Sequence, residues 1–393
     1  MLQTDSDFTK TRWICTVIGL GFYLVDIVTD VGLAVKYFLV GDLVWSGLTL
    51  VFVVVGSAVT QVFSYSWYRD DMRKPLVNSG RDGLISGMNR RGLIGLHVTQ
   101  TGIFTRYYDL LKVGYRAVFS EPLGPVECPR DVHLALFGRA TDLSMLKLFE
   151  TFLESVPQLV LQLYIMLGHG HRSILQCEYC SICMVGSFIN IAWAIVDYRR
   201  CLRRSLPQMP SGLPTFVYLL YKLLTITTHI LSLSLFLVLS LYSTLGMAVV
   251  WLAGTVWAHW VRTDFCTSRG LERLYRIIVG VVLMFTFFNV KGQDTSWPMA
   301  VYYVLFALVN LAGPLLLVLV RPEVNDAEYF WPVTLLIFGG TVLGLACLLL
   351  YYTICHPRGK SLQADEVDGH MGGQERETET SDNTVRMRNF LQL

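Results

Sequence analysis

Apolar runs of about twenty residues recur along this chain between residues 12 and 355, more than any fold in water could bury together. The segments 12–38, 43–68, 93–118, 144–168, 180–203, 214–241, 244–262, 271–290, 297–320 and 330–355 all read as helices. At about 1.5 Å per residue, most of them match a hydrocarbon core about 30 Å thick. Inside that core a helix is the simplest element that satisfies its own backbone groups. Composition agrees: of 393 residues 53% are hydrophobic and 16% charged, with mean hydropathy +0.47. A soluble chain carries about a quarter charged residues. The expected class is therefore an all-α polytopic membrane protein. One transmembrane unit covers 1–355, in halves of 1–205 and 206–355, and a polar tail covers 356–393. The start of the chain is polar and mixed in charge, and the first apolar run is too long for a signal-peptide core, so it reads as a signal anchor.

Charge asymmetry sets an orientation. The connection 69–92 carries Arg69, Arg73, Lys74, Arg81, Arg90 and Arg91, and the turn after the fifth segment carries Arg199, Arg200, Arg203 and Arg204. Both belong in the cytosol, whereas 39–43 and 169–179 are nearly free of Lys and Arg and belong outside. If every segment crossed, the second basic cluster would land on the wrong side. One of the segments 93–118 and 144–168 must then enter and return, and 271–290 does the same if the C-terminus is cytosolic. The resulting topology has about eight spans and two re-entrant helices, with both termini cytosolic.

Charged residues inside the apolar runs are the candidate functional groups. Asp26 and Asp30 stand four apart on the first helix, and Glu150 and Glu154 repeat that spacing on the fourth. Arg106 lies in the third segment, Asp197 and Arg200 close the fifth, and Lys222 and His229 lie in the sixth. A charge facing lipid at mid-bilayer costs roughly 2.5–3.5 kcal/mol, so the four carboxylates together would cost on the order of 10 kcal/mol. They must pair, protonate or face water. Two readings stay open: a buried ion-pair network in which Arg106 and Arg200 answer the acids, or a hydrophilic track along the protein.

Other chemistry is sparse. There is no nucleophile elbow, phosphate loop or His-Glu-x-x-His, so an enzyme is not expected, nor is a cofactor or a nucleic-acid partner. Cys177, Cys180 and Cys183 have two C-x-x-C spacings; His169 or His171 could complete a metal site, but reduced thiols or one outward disulfide are the favoured reading.

The tail carries Asp365-Glu366-Val367-Asp368-Gly369, the preferred recognition sequence of executioner caspases, in a stretch too polar to fold alone. Beyond it, Met387, Phe390 and Leu391 share one face of a short basic helix. This end segment reads as a membrane-surface anchor or as a tethered plug for a cytosolic cavity. Cutting after Asp368 would release such a plug irreversibly.

Several blocks, among them Thr141-Asp142-Leu143-Ser144-Met145-Leu146-Lys147-Leu148-Phe149-Glu150-Thr151-Phe152-Leu153-Glu154, Phe63-Ser64-Tyr65-Ser66-Trp67, Phe104-Thr105-Arg106-Tyr107 and Phe285-Thr286-Phe287-Phe288-Asn289-Val290-Lys291-Gly292-Gln293, resemble the XK-related family over nearly the whole chain. The resemblance implies a caspase-activated phospholipid scramblase of the plasma membrane that exposes phosphatidylserine on dying cells. It implies two pseudo-symmetric halves and a C-terminal cytosolic helix that covers the protein until cleavage. It also assigns Asp26, Asp30, Arg106, Glu150, Glu154, Asp197 and Arg200 to the path of the lipid headgroup. The expected partners are membrane phospholipids, an executioner caspase and an accessory membrane subunit. A secondary transporter or channel built on the acids, and a scaffold for a lipid-transfer partner, are the rival readings.

Overall fold

The structure is a computed structural model, and it describes residues 8–72, 89–119, 129–169, 178–202, 212–263, 265–266, 268–289 and 296–355. Helix α1 (Lys10–Val40) begins where the Thr9 side chain accepts from the Arg12 amide. It ends at Gly41, whose φ of 93° lets Gly41 and Asp42 return hydrogen bonds to the Phe38 and Tyr37 carbonyls. That two-residue turn lays α2 (Leu43–Met72) antiparallel against α1. Among the described residues, five stretches are long and apolar enough to cross a membrane: α1, most of α2, α8 (Leu213–Leu239), most of α11 (Ser296–Val320), and α12 (Phe330–Leu350) with the π turn Tyr351–Cys355.

The segment expected at 93–118 is two helices, α3 (Arg90–Val98) and α4 (Gly102–Phe119). They break at Thr99, Gln100 and Thr101, with Gln100 at φ 64°. The segment expected at 144–168 starts earlier. It is the second part of a helical run made of α5 (Pro129–Glu150), a π turn (Thr151–Ser155) and α6 (Val156–His169). Hydropathy hides its first turns because they carry polar groups such as Asp142, whose partner lies on α4. The rest of the chain supplies α7 (Glu178–Leu202), α9 (Ser243–Trp260) and α10 (Arg269–Phe285).

Residue pairings fix how these helices run. Trp13 packs on Phe119 at 5.3 Å, Arg12 donates to the Arg200 carbonyl at 3.3 Å, Arg199 sits over Tyr218 and Tyr351, and Phe265 packs on Trp67 at 6.1 Å. The start of α1, the ends of α2, α4 and α7, the start of α8, the loop after α9 and the end of α12 thus gather at one end of the bundle, the near end. Helix α3 runs back along α2, with His97 Nε2 at 3.1 Å from Ser64 Oγ and the Gln100 carbonyl accepting from Gln61 at 3.1 Å. The break therefore lies beside the middle of α2, and α4 returns to the near end. Helix α10 also enters from the near end. The Met284 carbonyl reaches His229 at 3.1 Å, and after Thr286 the chain turns back to Lys222, whose Nζ donates to Thr286 Oγ1 at 2.8 Å.

Helix α8 is the axis of the fold, packed by α6, α7, α9, α11 and α12 and buried on most of its length. One apolar core joins the two halves of the chain: Phe63, Phe149 and Phe152 pack together with Ile226, Tyr275, Phe285 and Ile337. Helices α9 and α10 approach closely through Gly254 and Gly280. A Cβ on Gly280 would meet the Trp251 carbonyl and the Thr255 amide at 2.9 Å, whereas one on Gly246 would meet nothing within 4 Å. Gly280→Ala should therefore lower stability by about 1–3 kcal/mol through overpacking. Gly246→Ala should not, and thermal melting of the two detergent-purified variants compares them.

Candidate functional site

The sequence builds an acidic cluster from two surfaces. On α1 the buried stripe is Gly19, Tyr23, Asp30, Ala34 and Tyr37, with Asp26 on the same line, a spacing of threes and fours that keeps one face inward. Opposite lies the π turn. Pro157, two residues beyond it, has no N–H to offer the preceding turn, so the helix there cannot close in α geometry. The Val156 amide instead reaches back five residues to the Thr151 carbonyl. In that geometry residues five apart stack as residues four apart do in an α-helix, which brings Ser155 onto the face of Glu150.

The two surfaces then lock. Ser155 Oγ donates to Asp26 Oδ2 at 3.0 Å, and Gln158 Nε2 donates to Asp30 Oδ1 at 2.6 Å. Asp30, Glu150 and Glu154 are buried. Gly56 of α2 admits Glu154: a Cβ there would lie 2.7 Å from Glu154 Cβ and 2.8 Å from Oε2. Asp30 Oδ2 and Gln158 Oε1 are buried with no hydrogen-bond partner among the described residues. An unsatisfied buried acceptor costs about 1–3 kcal/mol, so these two oxygens mark a place where water or a polar ligand belongs.

The main cation of this cluster is Lys147, which the sequence reading passed over as a partner. It interacts with Asp197, Glu150 and Asp26, and it lies beside Gly19. Its spacing of three from Glu150 and seven from Glu154 was the signal available. Asp197 is in turn answered by Lys147, Arg12 and Arg200. The groups form a file from Arg12, Arg200 and Asp197 at the near end, through Lys147, to Asp26 with Glu150 and then Asp30 with Glu154. It ends beneath the apolar cluster of Tyr37, Leu161 and Ile165, against which Trp45, Phe52 and Tyr164 pack. Six of the seven residues named from the sequence are thus brought together.

Arg106 is the exception. It lies in a separate buried cluster, donating to Ser64 Oγ at 2.9 Å, the Ser64 carbonyl at 3.0 Å and Asp142 Oδ2 at 3.3 Å, with its guanidinium 3.8 Å from the centre of the Tyr68 ring. It holds the half-depth unit α3–α4 to α2 and α5 and does not face the four acids. Lys222 and His229 also have local partners. His229 Nδ1 bonds Asn310 at 2.8 Å, and Asn310 Nδ2 donates to Thr228 at 3.1 Å and Thr341 at 3.0 Å, tying α8, α11 and α12 together. The caspase sequence Asp365 to Gly369, the end segment with Met387, Phe390 and Leu391, Cys177 and the side chain of Cys180 lie outside the described residues.

Long apolar helices with buried polar clusters at their seams define an all-helical membrane protein. The family model described as "XK-related protein" matches residues 14–357. The chain is 50% identical over 367 residues to XK-related protein 9 of Tetraodon nigroviridis, covering 93% of this chain and 95% of that protein. It is 33% identical over 357 residues to XK-related protein 8 of the same fish, covering 89% and 85%. Against XK-related protein 8 of Pan troglodytes it is 34% identical over 364 residues, covering 90% and 86%. The chain belongs to the XK-related family.

The two polar clusters differ in what a neutral substitution does. Arg106→Gln removes the guanidinium that bonds Ser64 and Asp142 and packs on Tyr68, and breaking a buried pair in this way costs about 3–5 kcal/mol. That variant should melt well below the wild type and reach the cell surface poorly. Asp26→Asn, which relieves crowding among acids, should fold normally by the same two measurements.

Proposed function

We propose that the protein is a phospholipid scramblase: it lets lipids exchange between leaflets without ATP, and cleavage after Asp368 switches it on. The observation that carries this reading is the file of buried charges beside α1. Its carboxylates and Lys147 are held in place, yet Asp30 Oδ2 and Gln158 Oε1 are left for a polar visitor. Groups of both signs suit a headgroup that carries a phosphate and an amine. The outward face of α1, with Val25, Val28 and Val31 exposed, gives acyl tails a surface to stay on. The headgroup would travel along Asp26, Asp30, Glu150 and Glu154 while the tails remain in lipid.

The topology that fits has eight spans, α1, α2, α5 with α6, α7, α8, α9, α11 and α12, and two partly inserted units, α3–α4 and α10. The near end is then cytosolic. It carries Arg199 and Arg200, and it sits where the tail leaves after Cys355. The re-entrant unit of the first half is thereby 93–118, not 144–168. An end segment bearing Met387, Phe390 and Leu391 would dock on that face, held at about millimolar effective concentration by its tether until an executioner caspase cuts between Asp368 and Gly369. The setting we assign is the plasma membrane of dying cells, with phosphatidylserine exposed as a consequence. An accessory membrane subunit is a proposed partner for delivery to the surface.

Reconstitution in liposomes with fluorescent lipids tests the reading. Protein ending at Asp368 should equilibrate the leaflets at least about tenfold faster than the full chain, since weak tethered docking is what the cut removes. In the cleaved form, Glu154→Gln should slow exchange by about tenfold, the effect of roughly 1.4 kcal/mol on the limiting step. Equal rates for cut and uncut protein would reject the switch. Solute or proton flux without lipid exchange would favour a transporter built on the same acids.

A further inference from the structure

The sequence between His259 and Arg276 carries four arginines against Asp264 and Glu272. The described residues place three of these arginines around one cavity of about 770 Å³ at the near end, where α9 ends and α10 begins, lined by His259, Trp260, Arg262, Arg269 and Arg276. Glu272 answers only one of them, Arg276, at 3.4 Å. That carboxylate is buried and turned inward, accepting from the Phe265 amide at 3.0 Å, the Cys266 amide at 2.7 Å and the Thr263 hydroxyl. Arg276 forms the fixed wall: it donates to the Thr263 carbonyl at 2.6 Å and Thr263 Oγ1 at 2.9 Å, meets His259 Nδ1 at 2.9 Å, and approaches Glu272 at 3.4 Å. Arg262 and Arg269 are exposed.

Arg262 also occupies a costly position. Its φ is 54°, the left-handed turn that follows a helix end and that glycine fills most cheaply. Keeping an arginine there costs stability and supplies a guanidinium at the cavity mouth. The end of α9 and the start of α10 meet with opposed dipoles, so the charge of the described lining comes from its arginines.

What distinguishes this site from one for a soluble anion is the surface leading to it. Leu245, Val249, Leu252 and Val256 are all exposed and form one stripe along α9 at spacings of four, three and four. The stripe ends at Trp260, 81% exposed, at the cavity's edge. An apolar stripe finished by a tryptophan marks the level where hydrocarbon meets headgroups.

We infer that the cavity at the end of α9 binds the phosphate-bearing headgroup of an anionic phospholipid, whose acyl chains lie along the Leu245–Val256 stripe. Basic pockets between helices on the cytosolic side suit such lipids, which are concentrated in that leaflet. The inference rests on the cytosolic placement of the near end proposed above. The site is separate from the acidic file, although α10 also packs on the π turn through Phe285 and Phe152, whose rings are 6.3 Å apart.

Titrating the full-length protein with dioctanoyl phosphatidylinositol bisphosphate and reading the first bound lipid by native mass spectrometry tests it. Inositol trisphosphate and dioctanoyl phosphatidylcholine serve as comparison ligands. The pair Arg262→Gly and Arg269→Gln should weaken the anionic lipid about thirtyfold, two membrane-adjacent charges at their usual worth. Phosphatidylcholine should bind both proteins alike. Arg262→Gly relieves the backbone and should melt at or above the wild type, and Arg269→Gln alone touches an exposed side chain and should melt with it. Equal lipid affinity in wild type and the double variant would overturn the site. Inositol trisphosphate binding as tightly as the lipid would overturn the lipid assignment. Neither readout requires leaflet exchange, so a protein that scrambles nothing but loses the lipid on substitution refutes the scramblase reading and leaves this site standing.

Discussion

The contact between α1 and the π turn at Thr151–Ser155 is the interaction on which the functional region depends. Asp26 and Asp30 sit on a helix whose opposite face is exposed valine and leucine, and Glu150 and Glu154 face them from the neighbouring run. Hydrocarbon offers no solvent to such groups, so each must be answered from within the protein. Ser155, Gln158 and Lys147 provide those answers, and the first two reach α1 because Pro157 forces the extra residue into the turn. Without the π turn, Ser155 would rotate away from Asp26 and the acids would lose a donor.

The same rule, that each charge carries its own partner, explains the elements that do not run the length of the bundle. The α3–α4 break leaves backbone groups and polar side chains at half depth, and they are met by Gln61, Ser57 and Ser64 of α2, with Arg106 bonded to Ser64 and Asp142. The turn after α10 is met by Lys222 and His229 of α8. Irregular backbone at depth is tolerated because protein surrounds it. At the near end, Arg199 of the first half sits over Tyr218 and Tyr351 of the second, and with the shared aromatic core this makes the halves one packed body.

These arrangements give the molecule three polar zones with separate roles. Arg106 itself is bonded through all three of its guanidinium nitrogens, to Ser64 and Asp142, and serves the scaffold. The acidic file is held in place but keeps two open acceptors, and it is the place proposed above for a moving headgroup. The arginine-lined cavity between α9 and α10 lies outside both, at the level where Trp260 meets the surface. Answering buried charges with local bonds lets the protein carry charge at depth without losing its fold.

Much of this was legible in the sequence. Apolar runs gave the class, and the parity conflict raised by the arginines at 199 and 200 pointed to 93–118 or 144–168, of which the first is broken into α3 and α4. The four-residue spacings of Asp26 with Asp30 and Glu150 with Glu154 picked out the acids, because an amino-acid pattern fixes which residues share a helix face. Pairing between helices was not legible, since nothing in one helix states which neighbour it meets. Arg106 and Lys147 show the difference. Both are cations in or beside apolar runs, yet α4 turns at mid-depth and delivers Arg106 to Asp142, while Lys147 rides the helix of the glutamates and faces α1. The sequence by itself determined the helical membrane class and that charges had to be buried. Only the tertiary structure decided which charge answers which, because that depends on the depth at which each helix starts, breaks and turns.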